Sequence, residues 1–137
     1  VDGFPILDVH TGAWFDPANS GRGFGLEISR ASEGGTQPLM VVHWYDYSEG
    51  KQIWLVGAAA FQWGDSAVTV PLQITSGAQF GAAFAPDQVQ NDAEWGSVTI
   101  RFSDCHHGEF SFQSRLGNGS YQLTRITEPT HIQCLDD

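Results

Sequence analysis

Tryptophan is the residue type in this sequence whose chemistry is most informative. The 137 residues include five of them: Trp14, Trp44, Trp54, Trp63 and Trp95. An indole ring can stack on the C–H face of a sugar because its π face is electron-rich, although the same ring also fills ordinary cores. We expect Trp14 to belong mainly to the floor of the barrel and two or three of the other four to form a platform for a carbohydrate. The alternative is that all five rings are structural.

Polar side chains close to these rings could supply the hydrogen bonds that a sugar needs. Asp46 and Gln52 lie in or beside the two predicted strands that carry Trp44 and Trp54. Planar carboxylate and amide groups can bind neighbouring hydroxyl groups in pairs. Together with the tryptophans, they predict non-catalytic binding of a polysaccharide or oligosaccharide. For each polar residue taken singly, a solvated position on a strand face is the simpler interpretation.

Metal chemistry has weaker support. His106 and His107 are adjacent, but neighbouring residues of a strand point to opposite faces and do not chelate one ion. The chain contains no H-x-H, H-E-x-x-H or C-x-x-C motif. A structural calcium ion on Asp87, Asn91 and Asp92 is an alternative, although their spacing does not match the established calcium-binding loop. No other cofactor is predicted.

Acid–base hydrolysis is a further interpretation. Glycoside hydrolysis needs two carboxyl groups roughly 5–10 Å apart across a cleft, and the candidates are Glu27, Asp46, Glu94 and Glu109. The sequence does not show that any two of them meet, and it has no G-x-S-x-G motif for a serine nucleophile. A small polysaccharide-active enzyme is therefore a second alternative to a binding module.

The composition excludes several classes of protein. Hydrophobic residues make up 41% of the chain, which is enough to build a core and excludes wholesale disorder. Six basic residues face sixteen acidic ones, for a formal charge of −10, so nucleic acid and anionic membranes are poor partners. No apolar run approaches the ~18 residues of a membrane-spanning helix, so we expect no membrane insertion. The length fits one domain, placed at residues 14–137 after an irregular lead-in at 1–13.

The cysteines and the low lysine content predict a location outside the cytoplasm. Lys51 is the single lysine, whereas glycine occurs 16 times, which is typical of a rigid exported β domain. Cys105 and Cys134 are the only cysteines, and in a small acidic domain such a pair most often forms one disulfide bond. The bond would close a loop of about 30 residues and contribute about 3–4 kcal/mol. Two buried free thiols are the alternative. We predict a secreted or periplasmic protein.

Alternating apolar residues predict an all-β fold. Apolar residues recur with a period of two in the segments 24–28, 68–74 and 98–102, and Asn118-Gly119 is a strong hairpin signal. No segment shows a sustained period of 3.6 residues. The sequence predicts seven or eight antiparallel strands in an up-and-down meander. A small barrel is preferred over a sandwich because most of the predicted connections are short.

Three details of this pattern depart from a plain meander. The strands in 39–61 carry large apolar residues on both faces, so they are either covered on both faces or expose an aromatic patch. An exposed patch could also be the interface of a protein–protein module, such as an inhibitor or an assembly subunit. Residues 76–95 are the longest irregular stretch, and such loops are often functional. Pro71 predicts that its strand lies at an edge or carries a bulge.

Two separated motifs resemble those of a known family. The first is the stretch G-A-W-F-D-P-A-N-S-G-R-G-F-G at residues 12–25. The second is D-C-H-H-G-E-F at 104–110, followed by G-N-G-S-Y-Q-L-T-R at 117–125. Together they resemble a small all-β domain of unassigned function that recurs in exported proteins of Gram-negative bacteria. The resemblance implies export and an all-β fold, and it supplies no catalytic residues. A looser architectural likeness, through the Gly-x-Trp opening, is to avidin-type barrels.

Overall fold

The strands of the computed structural model form one closed antiparallel barrel. The model describes residues 3–19, 21–30, 36–76 and 80–134. Its strands are β1 (Gly12–Phe15), β2 (Gly23–Arg30), β3 (Pro38–Ser48), β4 (Lys51–Ala60), β5 (Ala67–Ser76), β6 (Gln90–Phe102), β7 (His107–Ser114) and β8 (Gly117–Arg125). They follow one another around the barrel in chain order, and β8 pairs with β1 to close it. The predicted up-and-down barrel is confirmed.

Helical structure in the described residues is confined to the segment before β1 and to two of the connections. Within the described residues there are four single-turn 3₁₀ helices, at Asp8–His10, Pro17–Asn19, Gly81–Ala83 and Pro86–Gln88. Among these residues, no helix has the length and apolar character needed to cross a membrane.

The alternation of apolar residues builds the core inside the barrel. Phe24, Leu26 and Ile28 point inward from β2, and each is at most 9% exposed. Phe24 packs against Phe110 of β7 across the interior, with 4.1 Å between ring centroids. Each large apolar side chain buried in this way contributes about 1.5–3 kcal/mol relative to its exposed state. The interior of an eight-stranded barrel is just wide enough for such side chains.

A meander places its connections alternately at the two ends of the barrel, and the two ends differ. The β1–β2, β3–β4, β5–β6 and β7–β8 connections lie at one end, which we call the open end. The other connections lie at the closed end, where residues 3–11 also pack. There the backbone N–H of Ile6 donates to the carbonyl of Asp65 at 2.9 Å, and Phe4 forms a β-bridge with Phe102. Residues 3–11 thus cover the closed end.

The prediction that residues 76–95 are irregular is wrong for the last part of that segment. Strand β6 begins at Gln90, and its first residues pair with the end of β5, with Asn91 opposite Thr75 and Asp92 opposite Ile74. Backbone pairing with β5 forms this part of β6, although most of the side chains at 90–94 are polar. The search for alternating apolar residues therefore did not predict a strand here. Residues 77–79 of the predicted stretch lie outside the described residues.

Pro71 lies in a strand with an irregular ladder, as predicted. The register between β5 and β6 shifts between Leu72 and Ile74, which is the signature of a bulge. On its other side β5 pairs with β4 only at Leu55–Ile74 and Val56–Gln73 among the described residues. Pro71 itself is in register opposite Ser97 of β6 and has no ladder partner in β4 among the described residues, so its missing N–H breaks no pairing with β4.

The disulfide bond holds a second, smaller core at the closed end. Cys105 and Cys134 are joined, with 6.0 Å between their Cα atoms, so the predicted disulfide is confirmed. Both cysteines are buried with Val9, and Leu7 and Ile132 pack against them. The bond ties the last described residues of the chain to the β6–β7 connection and to the N-terminal segment.

His10 lies fully buried beside this small core. Its ring stacks on Phe102 with 3.6 Å between centroids. Its Nδ1 accepts a hydrogen bond from the N–H of Leu7 at 2.9 Å, so its Nε2 donates to the carbonyl of Asp104 at 3.2 Å. Burial, helped by the nearby Arg125, lowers the pKa of His10 from 6.5 to about 4. The folded protein therefore holds a neutral imidazole.

Because His10 is buried in its neutral form, we expect the protein to lose stability in mild acid. Because its pKa is lower in the folded than in the unfolded chain, its contribution is complete above pH 6.5 and is lost as the pH falls towards 4. We expect the free energy of unfolding to be about 2 kcal/mol lower at pH 5 than at pH 7.5. Urea denaturation at both pH values measures it. In His10→Asn, whose amide cannot titrate, this difference should largely vanish; an unchanged difference would contradict the assignment.

Candidate functional site

Three large aromatic side chains lie side by side on the outer surface of the β3–β4 hairpin. Tyr45 and Tyr47 of β3 and Trp54 of β4 are 52%, 52% and 54% exposed. Tyr45 faces Trp54 across the ladder, and Tyr47 faces Gln52. Directly opposed residues have Cβ atoms about 5 Å apart, so the three rings form one surface. Of the two outcomes predicted for this hairpin, the exposed aromatic patch is the one observed.

A tight turn sets this register. Strands β3 and β4 are joined by Glu49 and Gly50, whose φ angles are 53° and 78°. Two successive positive φ values are typical of the type I′ turn, whose twist matches that of the strands it joins. Because the turn fixes Ser48 opposite Lys51, every pair along the hairpin follows from it. A slip of one residue would send the outer aromatic side chains into the core.

The rings border a hollow that we call the aromatic groove. It has a volume of about 560 Å³, and its lining residues are Gly21, Tyr45, Asp46, Tyr47, Gln52, Ile53 and Trp54. The hydroxyl of Tyr47 donates to the carbonyl of Gly21 at 3.1 Å, which fixes the ring against the β1–β2 connection. Asp46 is the only residue in the lining with a formal charge at neutral pH.

A second hollow, which we call the mouth, enters the barrel at its open end. It has a volume of about 190 Å³. Its apolar walls come from the inward faces of four strands and from the β7–β8 turn: Trp44, Leu55, Trp95, Phe112 and Leu116. Trp44 and Trp95 are only 2% and 7% exposed, and they meet edge to face with 5.7 Å between centroids. The mouth is thus a shallow apolar pocket above the packed interior.

Asp46 lies between the groove and the mouth and accepts four hydrogen bonds. Its Oδ2 accepts from the indole N–H of Trp44 at 3.0 Å and from the hydroxyl of Tyr121 at 3.2 Å. Its Oδ1 accepts from the backbone N–H of Tyr47 at 2.8 Å and from Arg22 at 3.4 Å. The side chain is only 11% exposed. A carboxylate with this many donors is fixed in position.

Arg22 balances this charge from the β1–β2 connection. Its guanidinium lies over the ring of Tyr121, 4.2 Å from the centroid, which is a favourable cation–π distance. Its side chain is 26% exposed. The Nε of Arg22 is buried and has no hydrogen-bond partner within the described part of the chain. The mouth therefore contains a saturated acceptor, Asp46, beside an incompletely used donor.

Tyr121 should contribute measurably to stability through Asp46. Burial, together with the charge of Asp46, raises the pKa of Tyr121 to about 12, so the hydroxyl remains a donor at every physiological pH. We expect Tyr121→Phe to lower the free energy of unfolding by about 1 kcal/mol, because Asp46 loses one donor. Urea denaturation measures this loss. Tyr45→Phe, on the exposed groove, is the matched control and should stay within about 0.5 kcal/mol of wild type; equal losses would contradict the role of the hydroxyl.

The structure divides the predicted site residues into three places. Trp54 and Gln52 lie in the groove, Trp44 and Trp95 form the floor of the mouth, and Asp46 joins the two. Trp63 lies elsewhere: it follows the end of β4 at the closed end, 56% exposed, with its ring 5.6 Å from that of Phe61. The four candidate tryptophans therefore do not share one surface.

The prediction also omitted residues that the structure places at the site. Tyr45 and Tyr47 alternate with Trp44 and Asp46 in one strand, so their outward direction follows from strand geometry. Combining that alternation with the Glu49-Gly50 turn would have paired Tyr45 with Trp54. The position of Tyr121 had no such signal, because it depends on closure of the barrel.

The residues weighed as a calcium site have other partners. The carboxylate of Asp92 binds Arg115 with two hydrogen bonds, of 2.6 and 3.1 Å. The amide of Asn91 donates to Gln73 at 3.2 Å, and Asp87 lies in a separate 3₁₀ helix. In the described ranges, no group of three or more His, Cys, Asp or Glu side chains is arranged to hold a metal ion.

Comparison with protein-family models, curated proteins and solved structures finds no match to this chain. The resemblance to the exported β domain stays a prediction from its motifs.

Proposed function

We propose that this chain is a non-catalytic binding module for a neutral carbohydrate, which it holds in the aromatic groove. The observation that carries the proposal is the set of three half-exposed rings, Tyr45, Tyr47 and Trp54, on one outer surface. Large aromatic side chains that stay exposed together are costly to leave in water and typically mark a binding surface. Sugar rings fit such a surface because their C–H faces are apolar.

The polar groups of the groove support a sugar over a purely apolar ligand. Gln52 offers both an amide donor and a carbonyl acceptor beside Tyr47. The tyrosine hydroxyls add further hydrogen-bonding groups at the edge of the groove. A few placed polar groups around aromatic walls are typical of small-molecule sites that recognise hydroxyl groups.

The charges favour a neutral sugar. Asp46 is the only formally charged residue in the lining, and its charge is balanced by Arg22. The described residues that line the groove include no Lys or Arg to pair with a uronic acid or sulfated sugar, and the protein carries a formal charge of −10. Both features disfavour an anionic ligand.

The proposal includes a location outside the cytoplasm. The disulfide bond between Cys105 and Cys134 supports it, since such bonds persist in oxidising compartments. A secreted or periplasmic module that binds polysaccharide or oligosaccharide is consistent with this chemistry.

Calorimetric titration of the wild-type protein with a panel of oligosaccharides tests the proposal. The panel contains neutral glucose, mannose and galactose oligomers and uronic acid oligomers of matched length. We expect saturable one-to-one binding of at least one neutral oligomer and no binding of the acidic ones. Tighter binding of acidic oligomers, or no binding of any oligomer by a folded protein, would overturn it. In the second case the rings would be assigned to a protein partner.

A further inference from the structure

The aromatic groove and the mouth share one wall. Asp46, Tyr47 and Ile53 line both hollows. Asp46 and Ile53 face each other across the β3–β4 ladder, and the groove lies outside this pair while the mouth lies inside it. A substituent on a sugar bound to the outer rings could therefore extend past this shared wall into the mouth.

The chemistry of the mouth is that of a pocket for a small apolar group with one acceptor. Most of its wall is apolar, from Trp44, Leu55, Trp95 and Phe112. Asp46 already accepts four hydrogen bonds, so it offers little to a ligand hydroxyl. The Nε of Arg22 is buried, but the side chain is 26% exposed and its hydrogen bond to Asp46 is long, at 3.4 Å, so the outer N–H groups of the guanidinium are the donors that a ligand could meet. A ligand group that enters must bring an acceptor for Arg22 and an apolar part for the indole rings.

We propose that the mouth recognises an acetyl group carried by the sugar in the groove, an inference that rests on the proposed function. The carbonyl oxygen of an acetamido or acetoxy group accepts from Arg22, and its methyl group packs on Trp44 and Trp95. The pocket volume of about 190 Å³ is enough for this group, since an apolar cavity of about 150 Å³ holds benzene. A carboxylate fits less well because it would lie beside the charge of Asp46. A hydroxyl group in place of the acetyl group would leave the apolar walls of the mouth without a contact.

Two trisaccharides that differ only in their acetamido groups test the inference. Cellotriose has a hydroxyl where triacetylchitotriose has an acetamido group, and both are neutral with the same linkage. We expect triacetylchitotriose to bind the wild-type protein roughly tenfold more tightly in calorimetry, because a matched hydrogen bond and a buried methyl group are gained. In Arg22→Met the ratio of the two affinities should fall to about two or three, since the donor is gone and only the contact of the methyl group with the indole rings remains.

Arg101→Met is the matched control, because it makes the same substitution away from both hollows. Arg101 is exposed on β6, opposite Glu109, so the preference for the acetylated ligand should persist. An equal loss of preference in both variants would assign the effect to the loss of a positive charge and overturn the inference.

Binding of the two trisaccharides by the wild-type protein distinguishes failure of this inference from failure of the proposed function. The wild-type protein could bind the two trisaccharides with equal affinity, and Trp54→Ala could lose both affinities. This result would overturn recognition of the acetyl group by the mouth and leave the proposal of carbohydrate binding in the groove intact. Failure of the folded protein to bind any neutral oligosaccharide would overturn both.

Discussion

Replacing Trp54 by alanine is expected to weaken binding of a neutral oligosaccharide by about 100-fold, because a central aromatic contact residue typically carries 2 kcal/mol or more of the binding energy. Trp54 is the largest ring in the groove, it faces Tyr45 across the hairpin, and half of its surface is free for a ligand. Its removal should leave the fold intact because the side chain points away from the core. Calorimetric titration of the variant measures the loss.

Trp63→Ala is the control that this chain offers. Trp63 has the same side chain and nearly the same exposure, 56% against 54%. It follows the far end of β4, roughly 20 Å or more from Trp54 at the rise of a strand. We expect its affinity to equal that of the wild type. An equal or larger loss in Trp63→Ala would move the site to the closed end of the barrel.

Removal of the disulfide bond should produce the largest change in stability. We expect the double variant Cys105→Ser, Cys134→Ser to lower the free energy of unfolding by about 3–4 kcal/mol, given that the bond spans 29 residues. Apart from this bond and Val9, the second core contains only partly buried apolar side chains. Urea denaturation with and without a reductant measures the change.

The same experiment carries its own controls. Reduced wild-type protein should denature at the same urea concentration as the double variant, and oxidised wild-type protein at a higher one. Oligosaccharide affinity should be unchanged in the folded variant, because the groove lies at the other end of the barrel. A loss of less than about 1 kcal/mol would contradict the account of the closed end.

The barrel itself was predictable because its physical causes are local. A period of two in strands such as 24–28 and 98–102, and turn residues such as Asn118-Gly119, each require only neighbouring residues. The start of β6 was not predictable in this way. Its residues 90–94 are polar except for Ala93, and the end of β5 supplies their backbone partners.

The site was predictable only where strand geometry alone decides it. Trp54, Gln52 and Asp46 belong to one hairpin, so their proximity follows from a tight turn. Trp63 belongs to the next connection, and a meander sends successive connections to opposite ends. The contact between Tyr121 and Asp46 joins residues 75 positions apart in the sequence. Such a contact needs the closed barrel, which no local pattern specifies.

The most direct test of carbohydrate binding in the groove is an NMR titration that follows the five tryptophan indole N–H signals. Neutral oligosaccharide is added to isotope-labelled wild-type protein, and the signals are assigned by substitution. We expect the indole signal of Trp54 to shift most, in a saturable way, and those of Trp14 and Trp63 to stay in place. A saturable shift centred on Trp63, or no shift of Trp54 at saturating ligand, would contradict it.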